Sequence, residues 1–233
     1  MKLKQQSFIK ILGLAALVLL LSCQGAKQST ALHEAGVSHE LALFRKTNYG
    51  QVRYNLFFSI PDNRQEPVTG KVELHLLLVE KQPVIIDFRG EPDQVSSVLL
   101  NDKPVPYIVK DEHIGIEAKE ITVGENKVTI TFRAADQSLN RRDEFLYTLL
   151  VPDRARTLFP CFDQPDLKSL FSLSLEVPAD WQAVANGAIE QVDSVSIAGR
   201  KHISFRETEP LSTYLFSFVA GKLSRETYKS SGR

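Results

Sequence analysis

Asp153 to Leu170 reads DRARTLFPCFDQPDLKSL, and within it Arg156 and Asp163 stand seven residues apart among Phe159, Pro160, Phe162 and Pro165. A guanidinium fork can grip a carboxylate through two parallel hydrogen bonds, and the neighbouring rings would keep water from the pair. Pro160 and Pro165 stiffen the segment and keep it out of a central strand. Lys168 or Arg154 is placed to meet Asp166 at the rim. Two chemistries fit Asp163: a catalytic acid or metal ligand, or one half of a structural ion pair holding a corner against a neighbouring domain. No histidine or second carboxylate is set beside it at ligand spacing, so the structural pair is the expectation, and catalytic, cofactor and metal residues are all set at none.

The other reactive side chains are two cysteines, Cys23 and Cys161. Cys23 follows Lys2, Lys4 and Lys10, then an unbroken apolar run from Ile11 to Leu21, then Ser22. Eleven helical residues cover roughly 16 Å, about half a bilayer core, so the run reads as a signal-peptide core rather than a membrane span. Leu20-Leu21-Ser22-Cys23 resembles the bacterial lipobox, in which the chain is cut before a cysteine whose sulfur takes diacylglycerol. The expected organisation is therefore residues 1–22 as a lipoprotein signal peptide, 23–37 as the lipidated Cys23 and a tether, and 38–233 as a folded domain. Removing the three lysines leaves 25 basic against 28 acidic residues, a net charge of −3. Several acyl chains on one residue hold a protein to a membrane durably. No acidic cluster follows Cys23, so the expected location is the bacterial cell envelope, lipid-anchored and facing the periplasm.

These residues must be positioned by a folded body. The full chain has 233 residues, 43% hydrophobic and 24% charged, which is globular and not disordered composition. Lys plus Arg equals Asp plus Glu at 28, so nothing points to nucleic acid as a partner. Two cysteines exclude a disulfide scaffold. Ser38 is a fitting N-cap for a short helix through Lys46, with Leu41 and Phe44 on one side. From there the hydrophobic period is two. Residues 51–60, 71–80, 84–88, 95–100, 105–109, 113–117, 127–133, 171–177, 188–197, 201–206 and 213–220 read as strands, with Asn101-Asp102-Lys103 a turn. Many short strands broken by Pro and Gly predict an all-β, saddle-shaped double antiparallel sheet, sandwich-like, with one short N-terminal helix. Residues 134–170 show no such alternation; a long irregular stretch in a compact domain is usually functional or an interface.

The 153–171 segment resembles the signature of the N-terminal domain of the aminopeptidase N family, the zinc-dependent membrane alanyl aminopeptidases. The matching residues are Ala155, Arg156, Phe159, Pro160, Cys161, Phe162, Asp163, Pro165, Lys168 and Phe171, with Ser169 where the family usually has Ala. Trp181 to Gly187 (WQAVANG) and Leu211 to Gly221 (LSTYLFSFVAG) resemble two further family motifs in the same order. The resemblance implies a zinc metallo-aminopeptidase that removes N-terminal residues from peptides. Its zinc is held by H-E-x-x-H and a downstream Glu, and G-x-M-E-N holds the substrate amine. Neither motif is in this chain. His33-Glu34 is followed by Val37 and His39-Glu40 by Leu43 where a second His would stand, and Met1 is the sole methionine. Zinc is thus expected only in a catalytic domain outside these residues, and the chain is expected to be inactive by itself, so whether it counts as an enzyme stays open.

The resemblance also implies a departure. Family members carry Glu or Gln five and seven residues before the motif arginine, where they reach the substrate's amine. Those positions here are Val151 and Leu149, which cannot accept a hydrogen bond from an ammonium group. The expected partners are a downstream catalytic domain, peptide substrates and a membrane reached through the lipid anchor. Two other functions remain: a stand-alone envelope lipoprotein that binds without chemistry, or the product of a truncated gene.

Overall fold

The computed structural model describes residues 34–194 and 199–226. The signal-peptide and Cys23 expectations fall outside the described residues. Among the described residues, no helix is long and apolar enough to cross a membrane.

The chain enters through helix α1 (His39–Asn48), capped as its sequence predicts: the Leu41 amide donates to Ser38 Oγ at 3.1 Å. Strands β1 (Tyr49–Ser59), β2 (Thr69–Leu78) and β3 (Val84–Asp87) follow, then β4 (Val95–Leu100) and β5 (Lys103–Pro104). Asn101 and Asp102 join the last two, both at positive φ (50° and 66°), the backbone that a tight two-residue hairpin needs and that Asn and Asp tolerate. The chain continues through β6 (Ile108–Lys110), β7 (His113–Ile116), β8 (Gly124–Arg133), β9 (Leu139–Arg141) and β10 (Phe145–Thr148). It ends with β11 (Leu170–Pro178), β12 (Gln182–Ala185), β13 (Ile189–Ser194), β14 (Arg200–Phe205) and β15 (Phe218–Gly221).

These strands form three sheets: eight strands in the order β13-β14-β11-β1-β2-β8-β4-β5, four in the order β12-β15-β10-β9, and three in the order β3-β7-β6. The all-β class and the short N-terminal helix are as the sequence predicts. Antiparallel pairing has one exception: β1 runs parallel to β11, from Arg53 opposite Leu170 to Ser59 opposite Glu176. The cause is topological. β1 pairs with β2 on one edge through a local connection, and its other edge stays open until the chain returns as β11, after it has run through β3 to β10.

Alternation is clean on the large sheet. Val52, Tyr54, Leu56 and Phe58 of β1 and Val72, Leu74, Leu76 and Leu78 of β2 point into one continuous core; the residues between them face out and are polar except for Phe57 and Leu77. Residues 134–170, expected to be irregular, hold β9 and β10. Hydropathy hides β10 because its outward residues, Phe145 and Tyr147, are as apolar as its buried Leu146. The expected strand at 213–220 splits into a single turn at Thr213–Leu215 and β15.

Gly187 closes the WQAVANG motif for a steric reason. A Cβ there would lie 2.1 Å from the backbone oxygen of Arg206. Gly187→Ala should therefore push apart the chain joining β12 to β13 and β14, at a cost of about 1–3 kcal/mol. Thermal denaturation reads this; an unchanged midpoint would show that the two segments can separate freely.

Candidate functional site

The signature loop does not reach out to solvent. Phe159, Cys161 and Phe162 are fully buried, and Pro160 is buried beside them. The loop docks on β3 through a two-way backbone bridge: the Asp87 amide donates to Cys161 O at 2.7 Å and the Cys161 amide to Asp87 O at 3.0 Å. The Phe162 amide donates to Tyr54 Oη at 2.8 Å. Phe159 packs edge-on against Tyr54, Phe58 and Phe216. The third motif holds the loop from the other side, with Thr213 Oγ1 donating to Phe162 O at 2.9 Å and Ser212 Oγ to Pro165 O at 2.6 Å. The "S-T" of LSTYLFSFVAG thus serves two loop carbonyls that the Asp87–Cys161 bridge does not reach.

The ionic centre beneath the loop differs from the pair that the spacing suggests. The buried, two-pronged pair is Arg45–Asp87, and both side chains are 0% exposed. Arg45 Nη1 donates to Asp87 Oδ2 at 2.8 Å, and Nη2 donates to Asp87 Oδ1 and to the Ile85 carbonyl. The guanidinium also lies 5.1 Å from the centre of the Phe162 ring. Asp87 further accepts from the Asp163 amide at 2.8 Å, and His113 Nδ1 lies 2.9 Å from it. His113 Nε2 sits 2.9 Å from the Glu34 carbonyl, which ties the entering chain to the same centre. Burial works against the charge on Asp87, but the Arg45 guanidinium wins and holds its carboxyl below the usual range.

Arg156 and Asp163 do meet, though loosely, at 3.5 Å between Nη1 and Oδ2. Arg156 is shared: Nε lies 3.2 Å from Glu112 and Nη2 3.2 Å from Asp153. The firmer hold on Asp163 is the Arg156 backbone amide, 3.2 Å from Oδ2. Burial and the neighbouring Asp87 charge push the Asp163 carboxyl up to about 6 despite that amide and the guanidinium. The same carboxylates hold the Arg156 guanidinium more firmly protonated against its own partial burial. Both shifts are upward, which favours the charged form of Arg156 but the neutral form of Asp163, and the geometry explains it: Arg156 has three acids to draw on, whereas Asp163 has one distant share of a cation. Arg156 and Asp163 are thus in contact as expected, but through one long contact that Arg156 shares with Glu112 and Asp153, and the two-pronged fork belongs to Arg45 and Asp87. The expected rim partners of Asp166 are also corrected, because Lys46 Nζ is its partner at 3.0 Å, while Lys168 and Pro165 are exposed.

Asp163 gives a pH prediction of definite sign. Its pKa is higher in the fold than its ordinary 3.8, so its contribution is present below about pH 4 and is lost as pH rises through 6. A shift of this size corresponds to roughly 3 kcal/mol at most. Asp163→Asn should keep an oxygen for the Arg156 amide, leave stability at pH 7.5 equal to or above wild type, and flatten its decline between pH 4 and 6. Asp163→Ala, which orphans that amide, should cost about 1–3 kcal/mol. Urea titrations across pH test this, and a large loss in Asp163→Asn at pH 7.5 would contradict it.

Cys161 is a free, fully buried thiol whose pKa burial pushes up, so it is inert packing and not a nucleophile. Among the described residues, no group of three or more His, Cys, Asp or Glu is arranged to hold a metal.

Leu149 and Val151 lie just past the end of β10, not within a strand, but the alternation continues through them. Leu150 is buried, and Leu149 and Val151 are 48% and 51% exposed. They extend the outward row of Phe145 and Tyr147, whose rings stack 6.5 Å apart. Across the four-stranded sheet Tyr147 pairs with Val219 and Val219 with Val184, so the row broadens into an apolar face open to solvent.

The described residues thus form an all-β domain of three sheets, with the signature loop sealed around a buried ionic centre and one apolar sheet face open to solvent. The profile of the Peptidase M1 N-terminal domain matches residues 51–215. The chain belongs to that family. It is 29% identical over 137 residues to Aminopeptidase M1-A of Oryza sativa subsp. japonica, covering 52% of this chain and 15% of that protein. It is 22% identical over 191 residues to Leucine aminopeptidase 2 of Candida glabrata, covering 74% of this chain and 28% of that one. In structure it matches an M1 zinc metallopeptidase from Deinococcus radiodurans with a TM-score of 0.62 at 19% identity, over 75% of this chain and 42% of that one. The likeness to that structure is one of fold. The chain spans less than a third of the curated relatives it matches.

Arg45, Asp87, Glu112 and His113 were not among the expected site residues. The sequence held a signal for two of them, Arg45 as a basic residue one helical turn after buried Leu41 and Asp87 as an acid ending the otherwise apolar run Val84 to Ile86, and none for Glu112 or His113.

Proposed function

We propose that this chain is the non-catalytic N-terminal scaffold of a zinc metallo-aminopeptidase that removes N-terminal residues from peptides. Membership of the M1 N-terminal domain family carries the reading. The open apolar face of the four-stranded sheet supports it, because Phe145, Tyr147, Leu149, Val151 and Val184 are the surface a catalytic domain would cover. In this reading the ionic centre of Arg45, Asp87, Arg156 and Asp163 is structural. It locks the signature loop on β3 and so fixes the direction of the Leu149–Val151 segment. Zinc and its ligands belong to the catalytic domain. With Leu149 and Val151 in place of polar residues, this domain offers the substrate's amine an apolar wall and no acceptor.

The reading frame beyond Arg233 tests the proposal. A continuation encoding G-x-M-E-N and H-E-x-x-H supports it. A stop codon there favours the stand-alone binding module or a truncated gene.

We further propose that the chain is a lipoprotein of the bacterial envelope, anchored through Cys23. The supporting observations are the basic start, the short apolar run and Leu20-Leu21-Ser22-Cys23. Cys23→Ser should move the cleaved protein from the membrane to the soluble fraction, since a lone interfacial contact does not replace several acyl chains. Unlipidated, cleaved protein that still sediments with membranes would refute the anchor.

A further inference from the structure

The outward face of the eight-stranded sheet carries polar side chains that the scaffold role does not use. On β1 the outward row is Arg53, Asn55 and Phe57, spaced about 7 Å apart along the strand. Asn55 lies between Ser172 of β11 and Glu73 of β2, and Phe57 between Ser174 and Lys71. Two depressions of about 880 and 520 Å³ lie on this face and share Asn55. The first is floored by Arg53, Asn55, His75 and Ser172 and walled by the 167–170 segment and Glu207; the second is floored by Phe57 and His202. The two meet at Asn55, so that a groove follows the outward row of β1 from Gln51 to Phe57.

The lining points to one ligand chemistry. Its charges nearly balance: Arg53 pairs with Glu207 at 3.2 Å and Lys71 with Glu73 at 2.9 Å, Lys127 reaches out to Asp102 at 2.6 Å, and Lys168 and Glu125 add one charge of each sign. A face with basic and acidic groups so interspersed builds little field for phosphate or nucleic acid. The floor is the middle of a sheet, where β1 is paired on both edges, so it has no free backbone groups to add a peptide strand. What remains are fixed, mostly planar hydrogen-bonding groups beside a ring. Asn55 Nδ2 lies 3.5 Å from His75 Nε2, and the Phe57 and His202 rings lie nearly parallel, 6.4 Å between centres. A pyranose chain is the matching ligand: its hydroxyls take hydrogen bonds at many points, and its C–H face lies on an aromatic plate.

We propose that this groove binds a neutral, extended oligosaccharide, with Phe57 as the stacking plate and Asn55, His75 and Ser172 as the polar contacts. The proposal stands whether or not the chain is part of a peptidase.

Titration of the full chain with cellotetraose and with tetra-N-acetylchitotetraose tests it by calorimetry, with nuclear magnetic resonance line shifts as a second readout. Saturable binding of at least one is expected, weakened about five- to tenfold by Phe57→Ala and similarly by Asn55→Ala, and unchanged by Leu43→Ala on the helix. If Phe57→Ala or Asn55→Ala unfolds the chain, Phe57→Leu and Asn55→Ser replace them and should weaken binding in the same direction. The proposal fails if neither tetrasaccharide binds at about 10 mM, where even very weak affinity registers. It fails equally if folded groove variants bind as wild type does, or if a sulfated oligosaccharide binds in preference to the neutral ones.

Discussion

Asp87→Ala should remove most of the domain's stability. The substitution leaves Arg45 charged and 0% exposed with no carboxylate, and it takes the acceptor from the Asp163 amide. Breaking a buried ion pair from one side costs about 3–5 kcal/mol, and an orphaned buried amide adds about 1–3. Against a typical domain stability of about 5–15 kcal/mol, that is enough to leave an appreciable unfolded fraction. Asp87→Asn keeps the shape without the charge and should fall between. Arg45→Lys should not restore the wild type, because a point charge cannot span both oxygens and the Ile85 carbonyl. The double variant Arg45→Met, Asp87→Leu should lose clearly less than the sum of its single changes, since the two share one interaction. The pH dependence has the opposite sign to that of Asp163. Asp87 titrates lower in the fold than its ordinary 3.8, so its contribution is present above about pH 4 and is lost as pH falls through the folded value. Urea midpoints settle the matter, and a wild-type midpoint in Asp87→Ala would show that the loop is held by packing alone.

The large sheet was legible because its two faces differ in polarity. β1, β2, β8 and β11 each alternate between core residues and outward ones that are mostly polar, Phe57 and Leu77 being exceptions, so period and strand coincide. The small sheet was not, because β10 is apolar on both sides: Leu146 meets the core, and Phe145 and Tyr147 face outward. A strand apolar on both faces gives up the alternation that would reveal it.

The signature loop was legible as a unit and misread in its pairing. Spacing showed an arginine and an aspartate close together, and both indeed lie at the centre. It could not show that Asp87, more than seventy residues upstream, accepts from the Asp163 amide, or that α1 delivers Arg45 to the same place. Those contacts are made by folding over long sequence distances, and no local pattern encodes them. The antiparallel expectation missed the β1–β11 pair for the same reason.

The central claim, that the chain is a scaffold whose chemistry lies elsewhere, is open to one direct measurement. The sequence has no H-E-x-x-H, and among the described residues no three ligands converge. Zinc held tightly in a protein needs about three or four such ligands. Purified chain 1–233, dialysed against a trace of zinc and assayed by metal analysis alongside hydrolysis of an aminoacyl anilide, is predicted to hold far less than one zinc per chain and to release no product above the buffer rate. One tightly bound zinc per chain, with turnover that a chelator abolishes, would contradict the account.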